Sequence, residues 1–159
     1  MMAGYGLSNS LGPSKSGIDF VTLMPRFGYV FAEIQAKPPL KGSLEGVVEA
    51  VPALVAFEDS QTIYGGGFNL LLRYDVATGT RVVPFVEGGA GILLSTPQST
   101  DHRSQFRALQ VAPGLRYFLT PQAALSLEYR LHHISDANTT AHNPGLNADF
   151  FLLGFSIFR

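Results

Sequence analysis

Reactive side chains concentrate in one stretch of the sequence, Tyr129-Arg130-Leu131-His132-His133-Ile134-Ser135-Asp136-Ala137-Asn138, followed by His142-Asn143-Pro144-Gly145-Leu146-Asn147-Ala148-Asp149. Three of the four histidines lie here. His133 and Ser135 are two apart, and on a strand residues two apart share a face, with Cα atoms about 7 Å from one another. A neutral imidazole beside a serine hydroxyl can take its proton as the oxygen attacks an ester carbonyl, which is the general-base chemistry of a serine hydrolase. The same spacing also fits an ordinary polar strand end, so the pair needs support from the elements that carry it. His132 points to the opposite face, where Glu128 or Arg130 is its expected hydrogen-bond partner, and His142 falls in a Pro/Asn/Gly loop open to solvent. Because adjacent strand residues face opposite ways, His132, His133 and His142 do not make a ready metal site.

The elements that must position this pair are strands. Turn-forming clusters at Ser8 to Ser16, Lys37 to Gly42, Glu58 to Gln61, Ala77 to Thr80, Thr96 to Arg103, Thr120 to Gln122 and Asp136 to Leu146 punctuate the chain. Between them lie eight β segments: Met1 to Leu7, Ile18 to Ala36, Ser43 to Phe57, Thr62 to Val76, Arg81 to Ser95, Ser104 to Leu119, Ala123 to Ser135 and Ala148 to Phe158. Segments this close together form antiparallel hairpins and leave no room for crossover helices. Side chains alternate within them. Leu125, Leu127, Tyr129 and Leu131 share one face of the seventh segment, with Ser126, Glu128, Arg130 and His132 on the other. Phe68, Leu70, Leu72 and Tyr74 oppose Asn69, Arg73 and Asp75; Val82, Val86, Ala90 and Ile92 oppose Glu87, Gly89 and Gly91; Leu109, Val111, Leu115 and Tyr117 oppose Gln110, Gly114 and Arg116. Glu45 and Glu49 face away from Leu44, Val48 and Ala50. Continuing the odd positions of the seventh segment puts His133 and Ser135 on the apolar face.

Which face is outside decides the class. A soluble barrel encloses its apolar face; a membrane barrel turns it to hydrocarbon. The polar face here mixes glycine with charges of both signs, so that Glu45, Glu49, Glu87 and Glu128 can pair with Arg73, Arg116 and Arg130 in a narrow interior, whereas a soluble surface carries more Lys and Glu. The apolar face gathers Phe and Tyr near segment ends, as interfacial girdles do. Charged residues make up 14% of the chain, against about 25% in a typical soluble domain, while 12 phenylalanines and 17 glycines suit aromatic-rich β structure. The expectation is therefore a single domain over residues 1–159, an eight-stranded antiparallel transmembrane β-barrel, with a soluble barrel or sandwich as the rival. No run is apolar for the 18 or more residues that a membrane helix needs. A net charge of -1 with no basic stripe sets nucleic acid aside. The absence of cysteine removes thiol nucleophiles and Cys-ligated zinc. Met1 to Gly17 lacks a basic segment followed by an apolar core, so an outer-membrane destination requires a signal that was removed or lies upstream.

The segment His133-Ile134-Ser135-Asp136-Ala137, then Asn143-Pro144-Gly145-Leu146-Asn147 and a last apolar strand, resembles the C-terminal signature of the PagL-type lipid A 3-O-deacylases. Looser likeness extends to Pro25-Arg26-Phe27-Gly28-Tyr29, Gly65-Gly66-Gly67-Phe68-Asn69 and Pro84-Phe85-Val86-Glu87-Gly88-Gly89-Ala90-Gly91. The resemblance implies an outer-membrane enzyme whose His-x-Ser pair and a later glutamate form a hydrolytic triad on the lipid-exposed wall, without metal or organic cofactor. Its implied partners are lipid A of lipopolysaccharide and the surrounding outer-membrane lipids, with the protein a monomer or homodimer. Carried over, His133 is the general base, Ser135 the nucleophile and Asn143 a contributor to the oxyanion site. Two positions depart from the family pattern. Asp136 stands where Asn often follows the nucleophile, and Asn147 occupies the glutamate position, with Asp149, of the same strand parity, as the substitute acid. An amide orients an imidazole but does not offset imidazolium charge, so the alternative is a catalytically impaired barrel of the family with a structural or lipid-binding role.

Overall fold

Side chains that alternate along an extended chain must sort to two sides of a sheet, and here the sheet closes on itself. The computed structural model describes residues 1–9, 17–58, 61–95, 104–135 and 145–159. Its strands are β1 (Met2–Asn9), β2 (Ile18–Met24), β3 (Arg26–Ile34), β4 (Gly42–Glu58), β5 (Gln61–Val76), β6 (Val82–Ser95), β7 (Ser104–Thr120), β8 (Ala123–Ser135) and β9 (Leu146–Ile157). All pair antiparallel in the order β2-β1-β9-β8-β7-β6-β5-β4-β3, and a further pairing of β2 with β4 closes the cylinder.

Nine strands fill eight wall positions. β2 lies along Ala53 to Glu58 of β4, and β3 along Gly42 to Glu49 of the same strand. The segment expected as one strand from Ile18 to Ala36 is thus divided at Pro25, which has no N–H to give the ladder. Its carbonyl still accepts a hydrogen bond from the Ala50 N–H at 3.0 Å, which carries the wall across the break. Parity survives too, since Met24 and Arg26 both point inward. Beyond the level of Met2, which pairs with Met24 and Gly154, β3 has β4 as its one neighbour among the described residues.

The apolar face is outside. Leu70, Leu72, Leu109, Leu115, Leu127, Leu153 and Phe151 are all exposed, whereas Glu49, Asn69, Glu128 and Arg130 are at most 2% exposed. Enclosed charge is tolerated only where it is paired and hydrogen-bonded. Arg130 contacts Glu128 at 2.6 Å, Glu49 at 2.9 Å and Glu87 at 3.1 Å. Arg26 enters the same cluster from β3, on Glu49, on Glu128 at 3.0 Å and on Glu87 at 3.1 Å. Arg73 binds Glu87 and Glu45, and Arg116 joins Glu45 at 3.2 Å and Asp75 at 3.3 Å. All seven residues expected to pair do so; Arg26 and Asp75 were not foreseen. Gly28 belongs to this packing, because the Glu45 carboxylate occupies the space a Cβ would need there.

Toward the other end the lumen is apolar. Ile18, Phe20, Val51, Leu93, Ile134, Phe150 and Leu152 form one buried cluster, so the tube is a packed interior rather than a pore. The connections over residues 35–41, 77–81 and 121–122 lie at the charged end, and the strand ends at Asn9, Ile18, Glu58, Gln61, Ser95, Ser104, Ser135 and Leu146 lie at the other. Outer-membrane barrels keep their shorter turns on the periplasmic side and their longer loops outside. The end of β8 that carries His133 and Ser135 is therefore the external end.

Two substitutions report on this inside-out arrangement. Arg130→Met removes one of the two guanidiniums that bridge Glu49, Glu87 and Glu128, leaving three enclosed carboxylates to Arg26 and, at Glu87, Arg73, and is expected to cost about 3–5 kcal/mol. Leu70→Arg on the wall is expected to cost about 2–4 kcal/mol in unfolding by urea from lipid bilayers. A Leu70→Arg variant unchanged within about 0.5 kcal/mol would mean that this wall meets water.

Candidate active site

β8 and β9 run antiparallel with His133 directly opposite Asn147, and on the far side of β8 the strand β7 sets Leu109 against His133 and Arg107 against Ser135. Directly opposed residues of an antiparallel pair project to the same face. His133 is exposed on the outer wall and Ser135, two residues further along, is half-buried on the same side. The register also sets Asn9 of β1 opposite Asn147, so Asn9, Asn147 and His133 form one row across three strands.

His133 Nδ1 lies 2.7 Å from Asn147 Oδ1. An amide oxygen only accepts, so the Nδ1–H donates to it, and in the neutral ring the Nε2 then carries the lone pair. Asp149 does not share this role: its carboxylate accepts from the Tyr129 hydroxyl at 2.7 Å and from Asn9 Nδ2 at 2.8 Å. Of the two residues weighed from the sequence as partners for the imidazole, Asn147 is the one in contact. Asp149 instead joins β1, β8 and β9 just below it. Gly145 closes the other side of the ring. Its φ of 71° is a left-handed conformation that favours glycine, and a Cβ there would crowd the imidazole at 3.1 Å from His133 Cε1.

A shallow cleft of about 420 Å³ runs beside His133 and Asn147, walled by Leu109, Val111 and Leu131. The polar island therefore borders an apolar furrow on the surface that faces lipid. Asn143, the expected oxyanion contributor, lies outside the described residues, as do Asp136 and His142. His132 corrects an expectation. It is buried, but rather than bonding Glu128 or Arg130 it packs against the Phe150 ring at 5.6 Å between centroids, and its Nε2 has no hydrogen-bond partner among the described residues. Arg130 is already occupied by Gln110 at 2.7 Å and by its carboxylates, leaving no vacancy for the imidazole. Among the described residues, no three His, Asp or Glu side chains are grouped to hold a metal ion.

Sequence reasoning missed Asn9, the hydroxyl of Tyr129 as a partner of Asp149, and Arg107 opposite Ser135. Nothing local in the sequence joins Asn9 to a site 140 residues away. Arg107 was within reach, because it shares the parity of Leu109 and Val111 on a segment whose outward face had been assigned.

Residues 28–156 match the family model described as lipid A 3-O-deacylase (PagL). Among solved structures, the outer-membrane enzyme PagL superposes with a TM-score of 0.72 at 16% identity, over 96% of this chain and 97% of that one. The outer-membrane protein OprG from Pseudomonas aeruginosa superposes with a TM-score of 0.56 at 13% identity, over 98% and 93%. No curated protein sequence matches. The two structures share the barrel fold, and the family match over most of the length, signature stretch included, fixes the affiliation: this chain belongs to the lipid A 3-O-deacylase (PagL) family.

Proposed function

We propose that this protein is a membrane-embedded serine esterase that removes the 3-O-linked acyl chain from lipid A. The observation that carries the reading is the 2.7 Å contact between His133 Nδ1 and Asn147 Oδ1, which in the neutral ring makes Nε2 the acceptor, on the same outward face as Ser135. Ser135 Oγ attacks the ester carbonyl as its proton passes to Nε2. The negative charge that develops on the carbonyl oxygen needs a donor, a task suited to the Asn143 amide or a neighbouring backbone N–H. Collapse breaks the bond to the sugar oxygen, which leaves as the alcohol with the proton from the imidazolium. Water, deprotonated by the same imidazole, then releases the fatty acid from Ser135. No metal or organic cofactor takes part.

In this scheme Asn147 supplies orientation without charge. An acid at this position holds the tautomer and also stabilises imidazolium, whereas the Asn147 oxygen holds the tautomer alone. The neutral amide therefore favours a slow enzyme. It is also the observation behind a second reading, a family barrel that binds lipid A and does not hydrolyse it.

Incubation of the purified barrel with lipopolysaccharide, followed by mass spectrometry of the lipid A, separates the two. The expected outcome is loss of one hydroxyacyl chain, abolished by Ser135→Ala and by His133→Ala with the folded barrel retained. Unchanged deacylation in Ser135→Ala sinks the esterase assignment. Asn147→Glu is expected to raise kcat by about ten-fold or more, whereas Asp149→Asn is expected to leave kcat within about two-fold, because Asp149 is bonded to Tyr129 and Asn9. Equal rates for Asn147→Glu and the parent protein would show that charge at this position is irrelevant. In ¹⁵N spectra of histidine-labelled protein, Asn147→Leu is expected to release His133 from the single Nδ1–H tautomer; an unaltered His133 signal would remove Asn147 from the scheme.

A further inference from the structure

The cations among the described residues are unevenly placed. Arg26, Arg73, Arg116 and Arg130 are spent in the luminal network. Lys37, Lys41, Arg81 and Arg159 belong to the turns and terminus at the opposite end from the site. Among the described residues, Arg107 is the one cationic side chain left on the outer wall near the external end. It shares the outward parity of Leu109 and Val111, is exposed, stands opposite Ser135 on β8 and Ile92 on β6, and makes no ion pair with a described residue.

We infer that Arg107 is a substrate-anchoring residue that takes a phosphate group of the lipid A headgroup and thereby sets the ester against Ser135. The inference rests on the lipid A reading proposed above. Opposed residues on neighbouring strands hold their Cβ atoms roughly 5 Å apart, so a ligand touching Ser135 lies within reach of the guanidinium. Cationic side chains on a barrel's lipid face are costly at mid-bilayer and nearly free, about 0–1 kcal/mol, at the interface. At the last turn of the wall the charge is tolerable, and the phosphates of the outer leaflet lie at that depth. A planar guanidinium binds phosphate through two parallel hydrogen bonds, which fixes direction as well as position. In lipid A the phosphates and the 3-O-linked ester are carried by the same small disaccharide, so holding one orients the other. The apolar cleft beside His133 then receives the chain, and Arg107 distinguishes a phosphorylated glycolipid from a neutral one.

The test uses the full barrel in detergent micelles, with phosphorylated lipid A and with the same lipid A after removal of its phosphates. Arg107→Gln is expected to raise KM for phosphorylated lipid A about ten-fold with kcat within about two-fold, and to leave both parameters for the dephosphorylated lipid unchanged. Arg107→Lys is expected to recover part of the preference. Equal loss on both lipids, or a fall in kcat on the dephosphorylated one, overturns the inference, because a merely structural or oxyanion role would act on either. Direct binding in the Ser135→Ala background, read by native mass spectrometry, makes the result independent of turnover. There, adding Arg107→Gln is expected to weaken phosphorylated lipid A about ten-fold and to leave dephosphorylated lipid A unaffected. If the parent protein hydrolyses nothing but shows this phosphate-selective difference, the esterase reading falls and the anchor stands. Micelles of phosphatidylglycerol bound as tightly and with the same dependence on Arg107 would make the residue a general anionic-lipid contact and overturn its assignment to lipid A.

Discussion

The network that joins Arg26, Glu49, Glu87, Glu128 and Arg130 across the lumen is the constraint on which the rest of the barrel depends. These side chains come from β3, β4, β6 and β8, so the cluster ties walls that are far apart around the cylinder. Removal of any one member leaves an excess of enclosed charge among the others, which costs more than any single pair contributes. The network also fixes register. Slipping one strand by a single residue would send its carboxylate or guanidinium into hydrocarbon and its leucines into the lumen. Because Arg130 must point inward to meet Glu49 and Glu128, His133, an odd number of residues later, must point outward. The position of the imidazole on the lipid-facing wall is thus a consequence of ion pairing on the other side of the sheet.

An outward polar island has to satisfy itself. Asp149 is held by Tyr129 and Asn9, and Asn147 is held against His133, so three strands share a small hydrogen-bonded patch surrounded by Leu7, Leu109, Val111 and Leu131. Groups left without partners on such a surface would cost free energy. Division of labour between Asn147 and Asp149 follows from register: Asn147 lies level with His133, and Asp149 lies level with Leu131, one pleat repeat further down. The carboxylate is too far along the strand to serve the ring and is used instead to clamp β1 onto β8 and β9.

Much of this was legible because the physics is periodic. Leu125 to His132 alternates cleanly, which puts His133 on the apolar face, and the mixed-sign charges and glycines of the opposite face, with aromatics near segment ends, turn that apolar face outward. Where the pattern breaks, legibility ends. Phe150, Phe151, Leu152 and Leu153 are apolar on both faces, since β9 borders lipid outside and the buried apolar cluster inside; a period of two cannot show which of them are enclosed. Pro25 interrupts a strand whose parity nonetheless continues, which hid Arg26 from the list of luminal charges. The Asn9 to Asp149 hydrogen bond joins the first strand to the last, a contact that exists only because the cylinder closes. His132 was assigned a polar partner on local grounds, whereas Arg130 had already filled its donor sites with groups from other strands.

The amide at position 147 fits the place where it stands. A carboxylate on the outer wall beside hydrocarbon carries a desolvation cost that a neutral amide largely avoids, and Asp149 shows what an acid requires there, namely two donors of its own. Asn147 holds the imidazole with a single contact and adds no charge to the wall. In the proposed reaction the imidazolium must then be stabilised by groups further out, or the step is slow. A site built on orientation alone gains most from a substrate that arrives already oriented, and that requirement gives a guanidinium opposite the serine a value it would not have in a site with a full acid.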